Sequence, residues 1–490
     1  MFIDDLHLST GLGDARATGR VVAVAHAMSS KPQAAMPAIL PNPSDLTAAY
    51  RMASRAATTD RGILEGPASA TTRRCLERDA VLIIHDTTDF AFTDFGVERQ
   101  HLAQLTSNRH GFFSHFSLAV SAGADRAVLG ILSHIPFVHS SQVSGEATSW
   151  WKARGGLYEK ESKRWLDAVE NSERHFSSPV LPRRYHICDR EAEQWDLFSL
   201  LREKQTGFVL RCNFRERIAS APGGAPSTVE KILATRLQGA EFRTISVPEE
   251  AMGPDGKPLV KLKQKNKTCP VPAPRRPARV FVRYTNVVLP PTHASKRATG
   301  DKLADQLVVS VVEVVEVEPP KGQMPASWIL YCSDEVTSEA DAWQFVDWYQ
   351  ARWVIEEFFK AIKTGVAYET RQHTTAHALL NMLAITAVVA CDILSLRTYE
   401  RHQPDLPADT HFDLDLIECA RRLHPKLMPS ERPTMKELIG VVARMGGHIK
   451  QNGPPGWQVL YRGFVDLLHN VQLLQQLGIR LSEVPQRPPK

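Results

Sequence analysis

Three acidic residues from distant parts of the chain are candidate ligands for divalent metal ions. Asp86 and Asp189 each close a run of apolar residues, and Glu356 lies in a segment rich in aromatic and basic residues. Mg²⁺ prefers oxygen ligands, and two such ions can stabilise both the attacking and the leaving oxygen in an in-line displacement at phosphorus. These residue types therefore predict a metal-dependent phosphoryl-transfer site.

The segment around Glu356 adds groups that bind phosphate. Tyr349, Arg352, Glu356 and Lys363 stand at offsets of 0, 3, 7 and 14 residues. At about 100° per residue, one helix would present them within roughly 60° of one another. Arginine holds phosphate through a planar fork and lysine acts as a point charge, so this face favours DNA as the substrate. The alternative interpretation is a solvated charged face with ordinary helix pairs.

The two aspartates depend on the strands that carry them. The apolar, β-branched run at residues 80–86 predicts a strand covered on both faces, with Asp86 at its carboxyl end. Further patterns predict a hairpin of strands at 112–120 and 127–132, an amphipathic helix at 159–176, a strand at 185–189 and a helix from residue 190 onward. This order is that of a ribonuclease-H-like α/β domain, in which ligands gather at the carboxyl ends of strands.

Each aspartate also has a purely structural interpretation. Asp86 could cap the turn after its strand through the threonines that follow it, and Asp189 could be the N-cap of the next helix. The histidines beside them, His85 and His186, are expected in the core rather than on the metal, because Mg²⁺ prefers oxygen.

The remaining patterns predict three domains. Residues 1–70 form a small helical module, residues 71–372 hold the α/β domain, and residues 373–490 are helical. Strand patterns at 280–284 and 307–317 predict a β subdomain inserted at about 215–325. The apolar stretch at 378–396 is interrupted by polar residues and predicts a buried helix rather than a membrane span.

Composition and charge limit the kinds of binding partner and the cellular compartment that fit this chain. The chain has 490 residues, 43% of them apolar and 23% charged, with a net charge of +5. These values predict a globular protein that permits a polyanionic partner. Residues 256–302 carry twelve Lys or Arg against one acid, which indicates either a phosphate-neutralising arm on DNA or a solvated loop. Seven scattered cysteines and no visible signal peptide favour the cytoplasm, with no membrane partner.

The residues around Glu356 resemble the Tyr-Arg-Glu-Lys signature of the bacterial cut-and-paste DDE transposases of the "insertion sequence four" group. The signature is complete at Tyr349, Arg352, Glu356 and Lys363. The family's first aspartate matches Asp86 and its second matches Asp189, with Glu193 in place of the Asp usual later in that motif. Weaker similarities at residues 12–20, 49–51 and 446–461 extend the resemblance over nearly the whole chain.

The resemblance implies a ribonuclease-H-like catalytic core with a β insertion, between an N-terminal DNA-binding module and a C-terminal helical dimerisation region. Asp86, Asp189 and Glu356 would bind two Mg²⁺ ions, or Mn²⁺ in their place. The implied reaction nicks a strand at each transposon end, forms and reopens a hairpin, and joins the end to target DNA. The implied partners are double-stranded DNA, as transposon end and target, and a second copy of the chain, in the bacterial cytoplasm at the nucleoid.

The same resemblance implies residues that contact DNA. Tyr349, Arg352 and Lys363 would hold phosphates near the cut. Trp328 would stack on an extrahelical base, although a strand tryptophan buried in the core is the alternative. The further implied contacts are Arg211 and, near the N-terminus, Arg16, Arg20 and Arg51.

Two other functions remain open. A ribonuclease-H-like nuclease would use the same acids without joining DNA. A non-catalytic regulator of transposition would bind transposon ends without cutting them. Phosphoryl transfer of the P-loop type is disfavoured, because the chain contains no G-x-x-x-x-G-K-[ST] motif.

Overall fold

The structure is a computed structural model that describes residues 2–93, 99–106, 108–160, 162–248, 275–291, 306–449, 451 and 455–481. The chain divides into two compact units. The first comprises Met1–Pro182 and Trp353–Lys490, and the second comprises Arg183–Arg352. The three predicted domains do not follow this division, and their boundaries stay predictions.

Helices and strands alternate along the described chain. The helices are α1 (Ala15–Ser30), α2 (Met36–Ile39), α3 (Pro43–Ser54), α4 (Asp60–Leu76), α5 (Gly145–Ala153), α6 (Lys163–Glu173), α7 (Trp195–Glu203), α8 (Val229–Ala234), α9 (Glu339–Gln350), α10 (Trp353–Lys360), α11 (Ala376–His402), α12 (Leu414–Leu423), α13 (Met435–Met445) and α14 (Trp457–Gln476). The strands are β1 (Ala80–Phe92), β2 (Ala103–Thr106), β3 (Arg109–Ser121), β4 (Val128–His139), β5 (Leu157–Tyr158), β6 (Arg183–Cys188), β7 (Gly207–Arg211), β8 (Ile218–Ser220), β9 (Pro226–Thr228), β10 (Arg243–Pro248), β11 (Arg275–Leu289), β12 (Leu307–Glu316) and β13 (Ser327–Cys332).

The first unit contains a mixed sheet in the order β5-β4-β3-β1, with β2 also paired to β3. Strands β1, β3 and β4 are antiparallel, whereas β5 is parallel to β4. The predicted hairpin is therefore confirmed as β3 and β4. The predicted helix at 159–176 is confirmed in a shorter form, as α6.

Strand β1 does not end at Asp86, so the prediction that this residue closes the strand is wrong. The strand continues to Phe92, and each residue from Val81 to Phe92 is paired with β3. Phe90 and Phe92 are fully buried, and both rings pack against Phe112. This second apolar cluster extends the strand beyond the four half-buried residues that begin with Asp86.

Helix α11 forms the centre of the first unit. It is long and apolar enough to cross a membrane, but 94% of its most apolar window is buried inside the protein. It contacts α1, α3, α4 and β4 on the N-terminal side of the chain, and α13 and α14 on the C-terminal side. The prediction of a buried helix at 378–396 is confirmed.

The second unit contains a sheet in the order β6-β7-β13-β12-β11-β8-β9, with β10 also paired to β11. β6 and β7 are parallel, and β7, β13, β12 and β11 pair antiparallel in turn. The predicted strands at 185–189, 280–284 and 307–317 are thus confirmed as β6, β11 and β12. The chain is mixed α/β, as predicted, while the ribonuclease-H-like core stays a prediction.

The basic segment at 256–302 falls largely outside the described residues, namely at 256–274 and 292–302. Its described part, from Arg275, belongs to strand β11. Arg276 is buried there and forms an ion pair with the buried Glu316. This arginine therefore stabilises the sheet and does not belong to a DNA-binding arm.

The Tyr-Arg-Glu-Lys signature does not lie on one continuous helix, contrary to the geometric prediction. Tyr349 is in α9, Arg352 follows in a turn, and Glu356 is in α10. Lys363 lies in a wider π-type turn at Ala361–Gly365. The break at Ala351 and the wide turn change the rotation per residue, so the 100° spacing does not carry across the motif.

Candidate active site

Asp86 lies in the middle of β1, where it is half-buried. Its Oδ1 accepts a hydrogen bond from the Thr87 backbone N–H at 2.8 Å. The alternative interpretation, in which Asp86 caps a turn, is wrong because the chain continues as strand. The carboxylate is thus carried by a paired strand, which fixes its backbone more firmly than a loop would.

A buried polar cluster lies next to Asp86. The Thr87 hydroxyl is 2.8 Å from Nδ1 of His115 and accepts a hydrogen bond of 3.0 Å from Nε of Arg164. Arg164 is only 3% exposed. Burial, together with Arg164 and His134, lowers the pKa of His115 well below its usual value, so this ring is neutral. The cluster holds Thr87 from two sides, and Thr87 in turn hydrogen-bonds Asp86.

Glu356 is carried by a helix that packs on the same face of the sheet as Asp86. Phe116 of β3 stands directly opposite Asp86 in the antiparallel register, so the two side chains point to the same face. The Phe116 ring packs against Phe358 and Phe359 of α10, with ring centroids 5.3 and 6.1 Å away. α10 also contacts β1. The first unit therefore brings the elements of two of the three predicted acids together.

Lys363 lies close to the same strand. Its Nζ is 3.2 Å from Oδ1 of Asp89 and 5.5 Å from the centre of the Phe90 ring. Arg109 approaches the other oxygen of Asp89 at 3.7 Å. The lysine is thus paired with an acid of β1.

The third acid, Asp189, belongs to the second unit. It follows β6 and is half-buried, and its Oδ1 accepts a 2.9 Å hydrogen bond from the Glu191 backbone N–H. It therefore caps the 3₁₀ turn Arg190–Ala192, which confirms the structural interpretation without excluding a metal ligand. The continuous helix predicted from residue 190 is replaced by this turn and α7. Glu193 is buried and accepts hydrogen bonds from Phe214 N–H and Arg217.

The same unit places the other signature residues beside Asp189. Burial raises the pKa of Tyr349, while nearby Arg352 and Arg211 lower it and Asp189 acts to raise it. Arg211, at the end of β7, hydrogen-bonds the Tyr349 side chain. The second unit therefore groups a neutral phenol, two guanidinium groups and one carboxylate.

Trp328 lies in β13 and is half-buried. It is therefore neither a fully buried core residue nor a fully exposed ring ready to stack on a base. Its Nε1 is buried and finds no hydrogen-bond partner among the described residues.

The N-terminal candidates Arg16 and Arg20 on α1 and Arg51 on α3 are all exposed. Exposed cations of this kind are accessible to a phosphate backbone.

The donor chemistry of the three predicted ligands fits a hard divalent cation, because all three are carboxylates and none is fully buried. His85 and His186 are fully buried, as predicted. In the part of the chain that the structure describes, no group of three His, Cys, Asp or Glu side chains already lies close enough to hold a metal ion.

Sequence reasoning missed the buried polar residues around these acids. The sequence pattern did not identify Arg164 or His115, because each lies in a pattern typical of an ordinary helix or strand. The sequence feature that could have identified Arg164 is the position of a charged residue on the apolar face of an amphipathic helix. Its neighbour Trp165 is fully buried.

The N-terminal residues match a known family. Residues 2–58 match the family model described as the transposase DNA-binding domain. The match spans α1, α2 and α3, which carry Arg16, Arg20 and Arg51. This similarity supports a DNA transposase role for the chain and DNA as its partner.

Proposed function

We propose that this chain is a metal-dependent DDE transposase, which cuts DNA at the ends of a transposable element and joins those ends to target DNA. The observation that carries the proposal is the match of residues 2–58 to a transposase DNA-binding domain. The carboxylates Asp86, Asp189 and Glu356 add the chemistry that a DNA-binding module alone lacks. The Tyr-Arg-Glu-Lys signature supports assignment to the "insertion sequence four" group.

The three carboxylates are the residues that would hold two Mg²⁺ ions, or Mn²⁺. When bound, such ions supply Lewis acidity at the scissile phosphate and balance its negative charge. Asp86 would present its carboxylate from a strand supported by Thr87. Glu356 would reach the site from α10, which packs on the same face of the sheet.

The basic and aromatic residues would hold the DNA. Arg211 and Arg352 would bind phosphate through their planar forks, with Arg211 oriented by the Tyr349 hydroxyl. Lys363 would exchange Asp89 for a DNA phosphate. Trp328 would offer its half-exposed ring to an extrahelical base.

The proposed reaction has four steps. Water attacks the phosphorus at the transposon end and releases a 3′-OH and a 5′-phosphate. That 3′-OH attacks the opposite strand, forming a hairpin and releasing the flanking DNA. A second hydrolysis reopens the hairpin, and the regenerated 3′-OH attacks a target phosphodiester, whose own 3′ oxygen leaves. In this proposal two copies of the chain hold a pair of ends in the bacterial cytoplasm.

The test uses the purified full chain, a donor plasmid that carries the DNA flanking its own gene, and a second plasmid as target. With Mg²⁺ we expect excision, hairpin ends and insertion into the second plasmid. Glu356→Ala and Asp86→Ala should each abolish cleavage and leave end binding intact. Glu357→Gln is the matched control, because Glu357 is on the same helix but pairs with Arg397.

Three results would count against the proposal. Cleavage by the Glu356→Ala variant would remove this residue from the metal site. End binding without any cleavage by the unmodified chain would favour a regulator. Nicking without strand transfer would favour a nuclease.

A further inference from the structure

The first unit contains a cavity that the proposed reaction does not use. Its volume is about 510 Å³, within the range of sites for small organic ligands. Three stretches of chain line it: residues 31–34 after α1, Thr364 and Gly365 of the π-type turn, and one face of α14 between Trp457 and His469.

Hydrogen bonds fix two of these walls to each other. Arg371 is 3% exposed and donates to the backbone oxygens of Ala34 at 2.9 Å, Pro32 at 3.1 Å and Val366 at 3.2 Å. Nε2 of Gln33 donates to the backbone oxygen of Thr364 at 3.1 Å. These two walls are therefore held together by hydrogen bonds within the protein.

Two aromatic side chains from α14 line the cavity. Trp457 and Tyr461 are four residues apart, so they lie on one face of the helix, and each is 6% exposed. The Trp457 ring packs so closely on Gly365 that an added Cβ there would lie 3.3 Å from Cζ3 of the tryptophan. The Tyr461 hydroxyl is buried and has no hydrogen-bond partner among the described residues. A buried donor of this kind is costly unless a partner is supplied.

Two cationic side chains, Lys31 and Arg462, lie at the rim of the cavity. Lys31, Arg462 and His469 line it and are exposed. None of the three forms an ion pair within the part of the chain that the structure describes. Asp466 is the single acid among the lining residues. Unpaired cations beside an enclosed surface attract an anion such as a phosphate.

We propose that this cavity binds one nucleotide unit, with its base beside the small exposed parts of Trp457 and Tyr461 and its phosphate near Lys31 and Arg462. The exposed parts of the two rings give a base an apolar contact, and the two cations favour a ligand that also carries a phosphate. Two sources share this chemistry: a free nucleotide and the 5′-phosphorylated terminal nucleotide of a DNA strand. None of the three proposed metal ligands is among the residues that line this cavity, so the proposal does not depend on the proposed reaction.

The test is calorimetric titration of the full chain with dAMP, deoxyadenosine and inorganic phosphate. We expect dAMP to bind with one site per chain, at least tenfold more tightly than either of the other two. A Lys31→Ala/Arg462→Ala variant should weaken dAMP binding at least tenfold. Lys436→Ala, an exposed lysine on α13 away from the cavity, should leave it unchanged, and so should Asp86→Ala.

A second titration distinguishes the two sources. If a single-stranded tetranucleotide gains at least tenfold in affinity from a 5′-phosphate, and loses that gain in the double variant, the terminal nucleotide of a strand is a ligand. Binding of dAMP without this gain assigns the site to free nucleotides. The proposal is overturned if neither ligand binds, if phosphate alone binds as tightly as dAMP, or if the double variant binds normally.

Discussion

Asp89 forms ion pairs with two cations and lies three residues after the proposed metal ligand Asp86 on strand β1. Its carboxylate oxygens are 3.2 Å from Nζ of Lys363 and 3.7 Å from Arg109. All three side chains are partly exposed, so each ion pair contributes little to folding. In the proposed complex with DNA, Asp89 would compete with a DNA phosphate for these cations.

Asp89→Asn should therefore strengthen DNA binding. Removing the carboxylate leaves Lys363 without this partner and, among the described residues, Arg109 with Glu369 alone, at 3.9 Å. We therefore expect several-fold higher affinity at low salt, with a steeper dependence on salt concentration. Fluorescence anisotropy with a labelled transposon end at several salt concentrations would measure this. Asp79→Asn, an exposed acid just before β1, is the matched control. If Asp89→Asn and Asp79→Asn raised the affinity for DNA equally, the effect would be due to net charge alone and not to the release of Lys363.

Tyr349→Phe tests the phenol that hydrogen-bonds Arg211. Without the hydroxyl, Arg211 loses a fixed partner beside Asp189, and we expect cleavage to slow about tenfold, equivalent to about 1.4 kcal/mol. End binding should change less than twofold. The rate of plasmid cleavage under single-turnover conditions would measure this loss. Tyr284→Phe, at a tyrosine of β11, is the control variant. An unchanged rate would remove Tyr349 from the site.

Residue types predicted the candidate site only in part. Carboxylates and phosphate-binding groups are recognisable by their chemistry, so Asp86, Glu356 and Lys363 could be selected from the sequence. The support of Thr87 by Arg164 and His115 could not, because it requires the packing of α6 and β3 against β1. The ion pair of Lys363 with Asp89 was missed for the same reason.

Among the elements, helix α11 shows what polar residues do in an apolar segment. Asn381 and Asp392 interrupt the hydrophobic pattern, and both prove to be attachment points for the N-terminal residues. Nδ2 of Asn381 donates to the backbone oxygens of Ala53 at 2.9 Å and Thr58 at 2.7 Å. Asp392 accepts from the N–H groups of Phe2 at 2.7 Å and Ile3 at 3.1 Å.

Asp392 should make stability depend on pH. Burial raises its pKa to about 7 from the usual 3.8. The folded state therefore holds this proton more tightly than the unfolded state, so the contribution is largest below about pH 4 and is lost as the pH rises through about 7. A shift of about three pKa units corresponds to about 4 kcal/mol. Urea titrations should show this decrease in the unfolding free energy, and Asp392→Asn should remove it; an unchanged slope would contradict the assignment.

Elements were easier to predict than their ends. Apolar periodicity identified β1, the β3–β4 hairpin, β6 and α11, because burial leaves a strong local pattern. The extension of β1 to Phe92 depends on pairing with β3 and on rings contributed by Phe112 and Tyr368. The break at Ala351 has no Pro or Gly to mark it, so the sequence suggested one helix where the chain forms two.

Over the whole molecule, the proposed dimer would need an apolar surface, and the end of α14 offers one. Leu473 and Leu477 are 57% and 65% exposed. Leu473→Gln/Leu477→Gln should reduce paired-end complexes on a native gel at least tenfold and leave single-end binding intact. Leu237→Gln, a 93% exposed leucine in the other unit, is the control. A normal level of paired complexes in the double variant would exclude this surface from the dimer.

The first unit is made from two stretches of chain separated by the whole of the second, and this has a consequence for synthesis. The backbone groups of Phe2, Ile3 and Ala53 bind α11, which ends at His402. About 220 residues separate Pro182 from that point, and ribosomes add about 5–20 residues per second. The helices α1 and α3 end at Ser54, about 350 residues before His402, so they wait roughly 17 to 70 s for their partner. During that time the faces of α1 and α3 that contact α11 are uncovered. A nascent chain would need protection during that interval, and slow codons between residues 183 and 402 would lengthen it.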